Sequence, residues 1–282
     1  MGSRSAALER LSDVLVCPVC AGDIVSVSTS VVCAAGHVFD VARQGYVSLI
    51  AGRAVSGDSA EMVAARDRFL SSGHYDRISD AVASAVPTAS GVCVDVGGGT
   101  GYHLARVLDA RPDLAGLVLD TSKPALKRAA RSHERMAAVA TDAWAALPLR
   151  SSSIDVMLSI FAPRNPGETA RVLAPGGVLV VVTPTTRHLS ELMSAVGLVR
   201  VDERKEERLA LQLRDFETIR SDRLEYGVSL GRAEAIDDVL MGPSGHHAGA
   251  DEIAHALSSL PDPVAATVSV VVSVLRLRRD AG

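Results

Sequence analysis

Cys17-Pro18-Val19-Cys20 and, after a twelve-residue interval, Cys33-Ala34-Ala35-Gly36-His37 place three thiols and an imidazole at C-x2-C and C-x3-H spacing. A C-x2-C turn brings two sulfurs within about 4 Å of each other, and zinc prefers four soft or borderline ligands in a tetrahedron. The stretch from Asp23 to Val32 between the pairs, with Ile24, Val25, Val27, Val31 and Val32, reads as two short strands that fold back to deliver the second pair. No carboxylate joins the set and no open position is evident, so the expected zinc, held by Cys17, Cys20, Cys33 and His37, is structural. A segment this short has too little core to fold without such a staple.

The second cluster that could do chemistry is Asp95-Val96-Gly97-Gly98-Gly99-Thr100-Gly101, which ends an apolar run and opens the helical pattern His103 to Leu108. An α/β sheet presents a nucleotide-like ligand at such a turn. A dinucleotide fingerprint starting at Gly97 would need glycine at 102, where Tyr102 stands, so that reading fails. The spacing D-x-G-x-G-x-G, with Asp95, Gly97, Gly99 and Gly101, resembles the first motif of S-adenosylmethionine-dependent methyltransferases. In that family the glycines let the backbone approach the amino-acid half of the cofactor. Gly116 to Asp120 is the next strand, and its terminal Asp120 is placed to accept the ribose hydroxyls. Met136 to Ala140, followed by Thr141-Asp142, puts Asp142 near the adenine amino group. Cys93, inside the apolar run, reads as a buried strand thiol.

These groups need elements to position them. Ile154 to Phe161 is a buried strand, Glu168 to Leu173 a short helix closed by Pro175-Gly176-Gly177, and Val178 to Val182 another strand. Val264 to Leu277, apolar and partly alternating, fits the last antiparallel strand of a methyltransferase sheet. Ahead of the glycine turn, Asp58 or Ser59 can cap a helix whose apolar face is Met62, Ala65, Phe69 and Leu70, with Gly73 ending it. The expected architecture is α/β: a Rossmann-like S-adenosylmethionine-dependent methyltransferase sheet with an N-terminal zinc-binding knuckle domain. Its expected divisions are a zinc-binding RNA-recognition module at 1–55, a linker helix region at 56–85 and the methyltransferase domain at 86–282.

A more specific resemblance runs over nearly the whole chain. The C-x2-C, C-x3-H knuckle is followed by Phe39-Asp40 and Gly45-Tyr46-Val47. Then come Gly57-Asp58-Ser59-Ala60-Glu61-Met62, Ala65-Arg66, Phe69-Leu70, Gly73-His74-Tyr75, the glycine turn and Arg187-His188-Leu189. In this order they resemble the bacterial 23S rRNA guanine-N1 methyltransferases, a group that includes the tylosin and macrolide resistance enzymes of actinomycetes. The resemblance implies that the four knuckle residues bind zinc and that Tyr75, Gly99, Thr100 and His188 contact S-adenosylmethionine. Gly98 and Thr100 depart from the cysteine and glutamate of the family's turn, which keeps the backbone shape and puts a side-chain contact from Thr100 in question.

With 282 residues, 48% hydrophobic and 22% charged, the chain has room for one or two domains. A formal net charge of -4 excludes coating nucleic acid by bulk positive charge, so an RNA partner must be met by a local patch. No apolar core in the opening residues and no unbroken apolar run of about 18 residues point to a cytoplasmic location without membrane contact. Lys123, Lys127, Arg128, Arg131 and Arg135 read as a solvated helix face before they read as an RNA surface.

Guanine N1 carries a proton near neutral pH, so a base or a stabiliser of the developing O6 charge is expected. No residue declares itself as that base. Phe161-Ala162-Pro163-Arg164 stands where a target base would stack, with Arg164 a candidate O6 partner. The leading expectation is methyl transfer to a 23S rRNA hairpin, with the actinomycete-like composition favouring macrolide resistance. The alternatives are a small-metabolite methyltransferase with purely structural zinc and a non-catalytic zinc protein. The oligomeric state stays open, a homodimer being the arrangement that would give a structured RNA a wider cleft.

Overall fold

The structure, a computed structural model, describes residues 2–27, 29–50, 52, 56–88, 90–197 and 211–278. Helix α1 (Gly2–Arg10) precedes a three-stranded antiparallel sheet of β1 (Ile24–Val27), β2 (Ser30–Cys33) and β3 (Val38–Asp40). The first two are the strands read from the valine pattern. The third follows because Gly36, at φ +84, turns the chain back so that Val38 meets Val32 and Asp40 meets Ser30.

Next come β4 (Tyr46–Ser48), α2 (Ala60–Ser71) and α3 (Asp76–Ala85). Ser59 caps α2 by accepting a hydrogen bond from the Met62 N–H, and Met62, Ala65, Phe69 and Leu70 are buried, as the spacing predicts. Gly73, at φ +83, ends the segment. The boundary expected at residue 55 lies outside the described residues.

The remainder alternates strand and helix: β5 (Ser90–Val96), α4 (Tyr102–Ala110), β6 (Asp113–Asp120), α5 (Lys123–Ser132), β7 (Met136–Ala140), β8 (Ile154–Ile160), α6 (Pro166–Val172) and β9 (Leu173–Pro184). It closes with α7 (Ser190–Ala195), β10 (Phe216–Leu230), α8 (Arg232–Met241), α9 (Ala250–Leu257) and β11 (Val264–Leu277). One eight-stranded sheet results, in the order β10-β11-β9-β8-β5-β6-β7-β4. Its central strands pair in parallel and are near-continuous apolar runs because helices cover both faces. β11 lies antiparallel between β9 and β10, as expected for the last strand.

The edge strand β4 joins the segment expected as a zinc module to the large sheet. Tyr46 to Ser48, inside the segment read as a zinc module, pair in parallel with Ala138 to Ala140 of the large sheet. The core shows the same continuity. On one face Phe69, Ile78, Leu104 and Leu126 pack on the sheet. On the other, Leu8, Leu11 and Leu15 meet Val94, Leu117 and Val139 in one cluster with Cys17, Ile24 and Val31 of the knuckle. β5 and β8 are neighbours whose connections diverge, α4 after β5 crossing one face and α6 after β8 the other, which opens a crevice at their carboxyl ends.

Candidate functional site

The knuckle brings its four predicted ligands together. Cys17 Sγ lies 3.6 Å and Cys33 Sγ 3.3 Å from His37 Nδ1, the Cys20 and Cys33 sulfurs are 3.7 Å apart, and all four ligand atoms fall within 4.8 Å of one another. A zinc tetrahedron with bonds of ~2.3 Å to sulfur and ~2.0 Å to nitrogen has edges of about 3.5–3.8 Å, so the donor set fits that ion. Backbone bonds hold the two turns: Cys17 N–H donates to the Gly22 carbonyl at 2.8 Å, and Cys33 N–H to the His37 carbonyl at 3.1 Å. No position is left for a substrate among these donors.

A second constellation forms where β5, β6 and β7 end. Gly97, Gly99 and Gly101 all take positive φ, +70, +56 and +78, which L side chains rarely adopt. A Cβ on Gly97 would stand 2.8 Å from that of Ala162, so the turn lies against the loop after β8. Thr100 is buried within it. Asp120 accepts hydrogen bonds from the Gly99 N–H at 2.9 Å and from the Ser122 N–H at 2.7 Å. Each of its oxygens keeps a second lone pair for a ligand hydroxyl. Burial raises its pKa even though those two N–H groups pull the other way. Asp142 accepts the Trp144 N–H at 2.9 Å through Oδ1.

Asp95 is 1% exposed, and neither carboxylate oxygen has a hydrogen-bond partner among the described residues. Burial, and after it the charge of Asp120, push its pKa up to about 7. An orphaned buried carboxylate suits a ligand that brings positive charge and N–H donors, which the amino-acid half of S-adenosylmethionine does.

The Gly57 block packs on this edge. The space a Gly57 Cβ would need is taken by the Ser122 nitrogen at 2.6 Å, and the Ser122 hydroxyl donates to the Asp58 carbonyl at 2.8 Å. Arg66 pairs with Asp58 at 2.5 Å and passes 3.2 Å from where a Gly99 side chain would begin.

Beyond β8 and β9 lies an aromatic group. Tyr75 packs edge-on to Phe69 with ring centroids 5.0 Å apart, and Phe161 stacks on His188 at 5.6 Å and 21°. His188 Nδ1 accepts the Ser269 N–H at 3.2 Å, and its Nε2 faces the Tyr75 hydroxyl at 3.2 Å. That hydroxyl donates in turn to Asp238 of α8 at 3.2 Å. Burial pushes Asp238 up to about 7, with the Tyr75 bond opposing the shift.

Known proteins match both constellations. The family model described as the N-terminal part of RlmA, a zinc ribbon, covers residues 15–52, and one described as a methyltransferase domain covers residues 94–181. The 23S rRNA (guanine(748)-N(1))-methyltransferase of Streptomyces fradiae is 45% identical over 267 residues, 92% of this chain and 95% of the relative. The chain belongs to the 23S rRNA guanine-N1 methyltransferase family.

A Micromonospora griseorubida protein named for the same reaction is likewise 45% identical, over 93% of this chain and 96% of its own. A Thiobacillus denitrificans methyltransferase solved with S-adenosyl-L-homocysteine is 17% identical, covers 71% of this chain and 90% of its own, and has a TM-score of 0.49. The methyltransferase uses S-adenosylmethionine and carries a zinc site, and its family sets aside the small-metabolite alternative.

One sequence reading changes in this methyltransferase. Arg164 does not join the aromatic rim: its Nε is buried without a partner among the described residues, and it lines a cavity with Val96, Met157 and Leu179 on the opposite face of the sheet. Phe161, at φ +54, turns the chain there, which motif spacing does not reveal. On the basic helix face Lys123, Lys127 and Arg131 are exposed, whereas Arg135 donates to the Leu108, Arg111 and Leu114 carbonyls and Arg128 pairs with Asp67 at 3.2 Å. Arg66 and Asp238 were missed. Asp238 had one signal, an acid adjacent to Val239 and Leu240 on the helix face that also carries Ala235.

Proposed function

We propose that this methyltransferase modifies N1 of the guanine equivalent to position 748 within a 23S rRNA hairpin, in the cytoplasm, and so protects its host ribosome from macrolides such as tylosin. The observation that carries the reading is the 45% identity, across 92% of this chain, to a relative named for that position. Among the described residues no helix is long and apolar enough to cross a membrane.

In this reading Asp95, Gly97, Gly99, Thr100, Gly101, Asp120, Asp142, Tyr75 and His188 hold S-adenosylmethionine. Cys17, Cys20, Cys33 and His37 hold zinc and fix the knuckle that docks the hairpin. When bound, the cofactor supplies an electrophilic methyl group with a good leaving group, so the protein's work is to position the acceptor. Phe161, 41% exposed beside the glycine turn, offers a face on which a guanine turned out of its helix can stack. His188, fixed by Ser269 and Tyr75, keeps the Phe161 ring in place. A homodimer would give the hairpin a wider cleft, which light scattering of the free and RNA-bound protein reads.

The test is incubation with labelled S-adenosylmethionine and unmodified 23S rRNA, followed by primer extension. Label recovered as N1-methylguanosine with a stop at the 748-equivalent position supports the proposal. A stop at a neighbouring guanine overturns the position, and absence of label in RNA overturns the substrate. Loss of tylosin protection on deletion, restored by the active gene alone, tests the physiological role.

A further inference from the structure

In a chain whose aromatic content is 3%, Trp144 is the one tryptophan, and it stands 63% exposed. The loop beneath it is fixed on three sides. Its N–H is held by Asp142 Oδ1 at 2.9 Å, and its carbonyl by Asn165 Nδ2 at 3.3 Å, from the loop that carries Phe161. Three residues on, the Leu147 N–H donates to Glu168 at 2.7 Å and the Leu147 carbonyl accepts from Arg171 at 3.0 Å. The loop then reaches the knuckle, where the Val16 N–H donates to the Pro148 carbonyl at 3.0 Å and Leu15 bridges to Leu149. An indole is thus presented to solvent by an ordered backbone that runs from the cofactor edge to the zinc module.

We infer that Trp144 is a stacking platform for an unpaired base of the substrate RNA, next to the guanine that enters the catalytic crevice. The inference rests on the RNA reading given above and adds a residue to it. Sequence-specific RNA binding takes place mainly at unstacked bases, which pair face to face with exposed aromatic rings. Trp144 and Phe161 are the exposed aromatic side chains among the described residues, and the Asn165 bond ties their two loops together. RNA gripped by the knuckle must pass the connecting loop to reach the crevice.

The lone tryptophan makes the test direct. In the zinc-loaded full chain, its fluorescence is titrated with S-adenosylhomocysteine alone and then with a hairpin RNA fragment of 23S rRNA. Quenching by the RNA and none by S-adenosylhomocysteine is the expected result. In methylation assays Trp144→Ala raises the KM for RNA roughly 5- to 100-fold, the worth of one base stack. The KM for S-adenosylmethionine stays unchanged, and Trp144→Phe recovers most of the loss. Quenching by S-adenosylhomocysteine to which RNA adds nothing would place the indole on the cofactor and overturn the inference. An unchanged RNA KM in an active Trp144→Ala protein overturns it as well. Failure of the unaltered enzyme to methylate RNA would instead remove the reading beneath it.

Discussion

The Tyr75 hydroxyl, from the residue that precedes α3, and the Asp238 carboxylate of α8 meet at 3.2 Å, both buried, although the sequence separates them by more than half the chain. Tyr75 also faces His188, so the contact joins α8 to two residues assigned to the cofactor. Removing the acceptor strands a buried hydroxyl, at a cost of about 1–3 kcal/mol. Asp238→Ala therefore lowers thermal stability and activity together, while Asp238→Asn, which still accepts from Tyr75, keeps most of both. Thermal melts and methyl transfer on the same preparations check the pair.

The same carboxyl gives the protein a pH signature. Its pKa in the folded state is about 7, above an unfolded value of ~3.9, so the native state binds the extra proton between them. Stability from this group is complete below about pH 4 and falls as pH rises toward 7. Asp238→Asn removes that part of the slope, and the difference between variant and parent in urea midpoints, measured from pH 4 to 8, reports it.

Asp95 predicts how the cofactor responds to pH. The orphaned carboxyl, raised to about 7, must ionise to meet a cationic ligand. Affinity for S-adenosylmethionine therefore rises with pH up to about 7 and levels above it, with a limiting slope of about tenfold per unit on the acid side. Calorimetry at several pH values shows this, and Asp95→Asn flattens it.

Gly97→Ala introduces a Cβ at φ +70 and 2.8 Å from Ala162. Backbone strain of about 1–2 kcal/mol follows, and the loop carrying Phe161 has to move. Cofactor affinity falls by at least tenfold, whereas Gly176→Ala, at φ +86 with open space around its Cβ, lowers stability without that loss.

Zinc removal by a chelator melts the three-stranded sheet, because structural zinc contributes folding free energy on the order of 10 kcal/mol. The metal should be recovered at one ion per chain, and Cys33→Ser should lose it at lower chelator concentration. Since Ile24 and Val31 share a core cluster with Leu117 and Val139, the large sheet loses stability too, visible as one lowered melting transition.

What was legible in the sequence was local. The four zinc ligands, the Ser59 cap with its buried Met62 and Phe69, and the strand endings at Asp95, Asp120 and Asp142 each depend on residues a few positions apart. What escaped depends on long-range pairing. Three residues of β4 carry no periodicity that could announce a partner at Ala138. Asp238 looks like any helix acid until Tyr75 is set against it, and the direction of Arg164 follows from the left-handed turn at Phe161.

The parallel pairing of Tyr46 with Ala138 and the bridge from Leu15 to Leu149 fasten the knuckle at both of its ends. A module fastened twice has no swing. The span from the zinc centre to the glycine turn is then set by backbone geometry, as on a ruler: under the function proposed above, one end would rest on the hairpin and the other would select a guanine by its distance. Lengthening the chain between Gly52 and Gly57 leaves that ruler intact, since both fastenings lie outside it. Cutting either one would blur the choice between neighbouring guanines before it abolished methyl transfer.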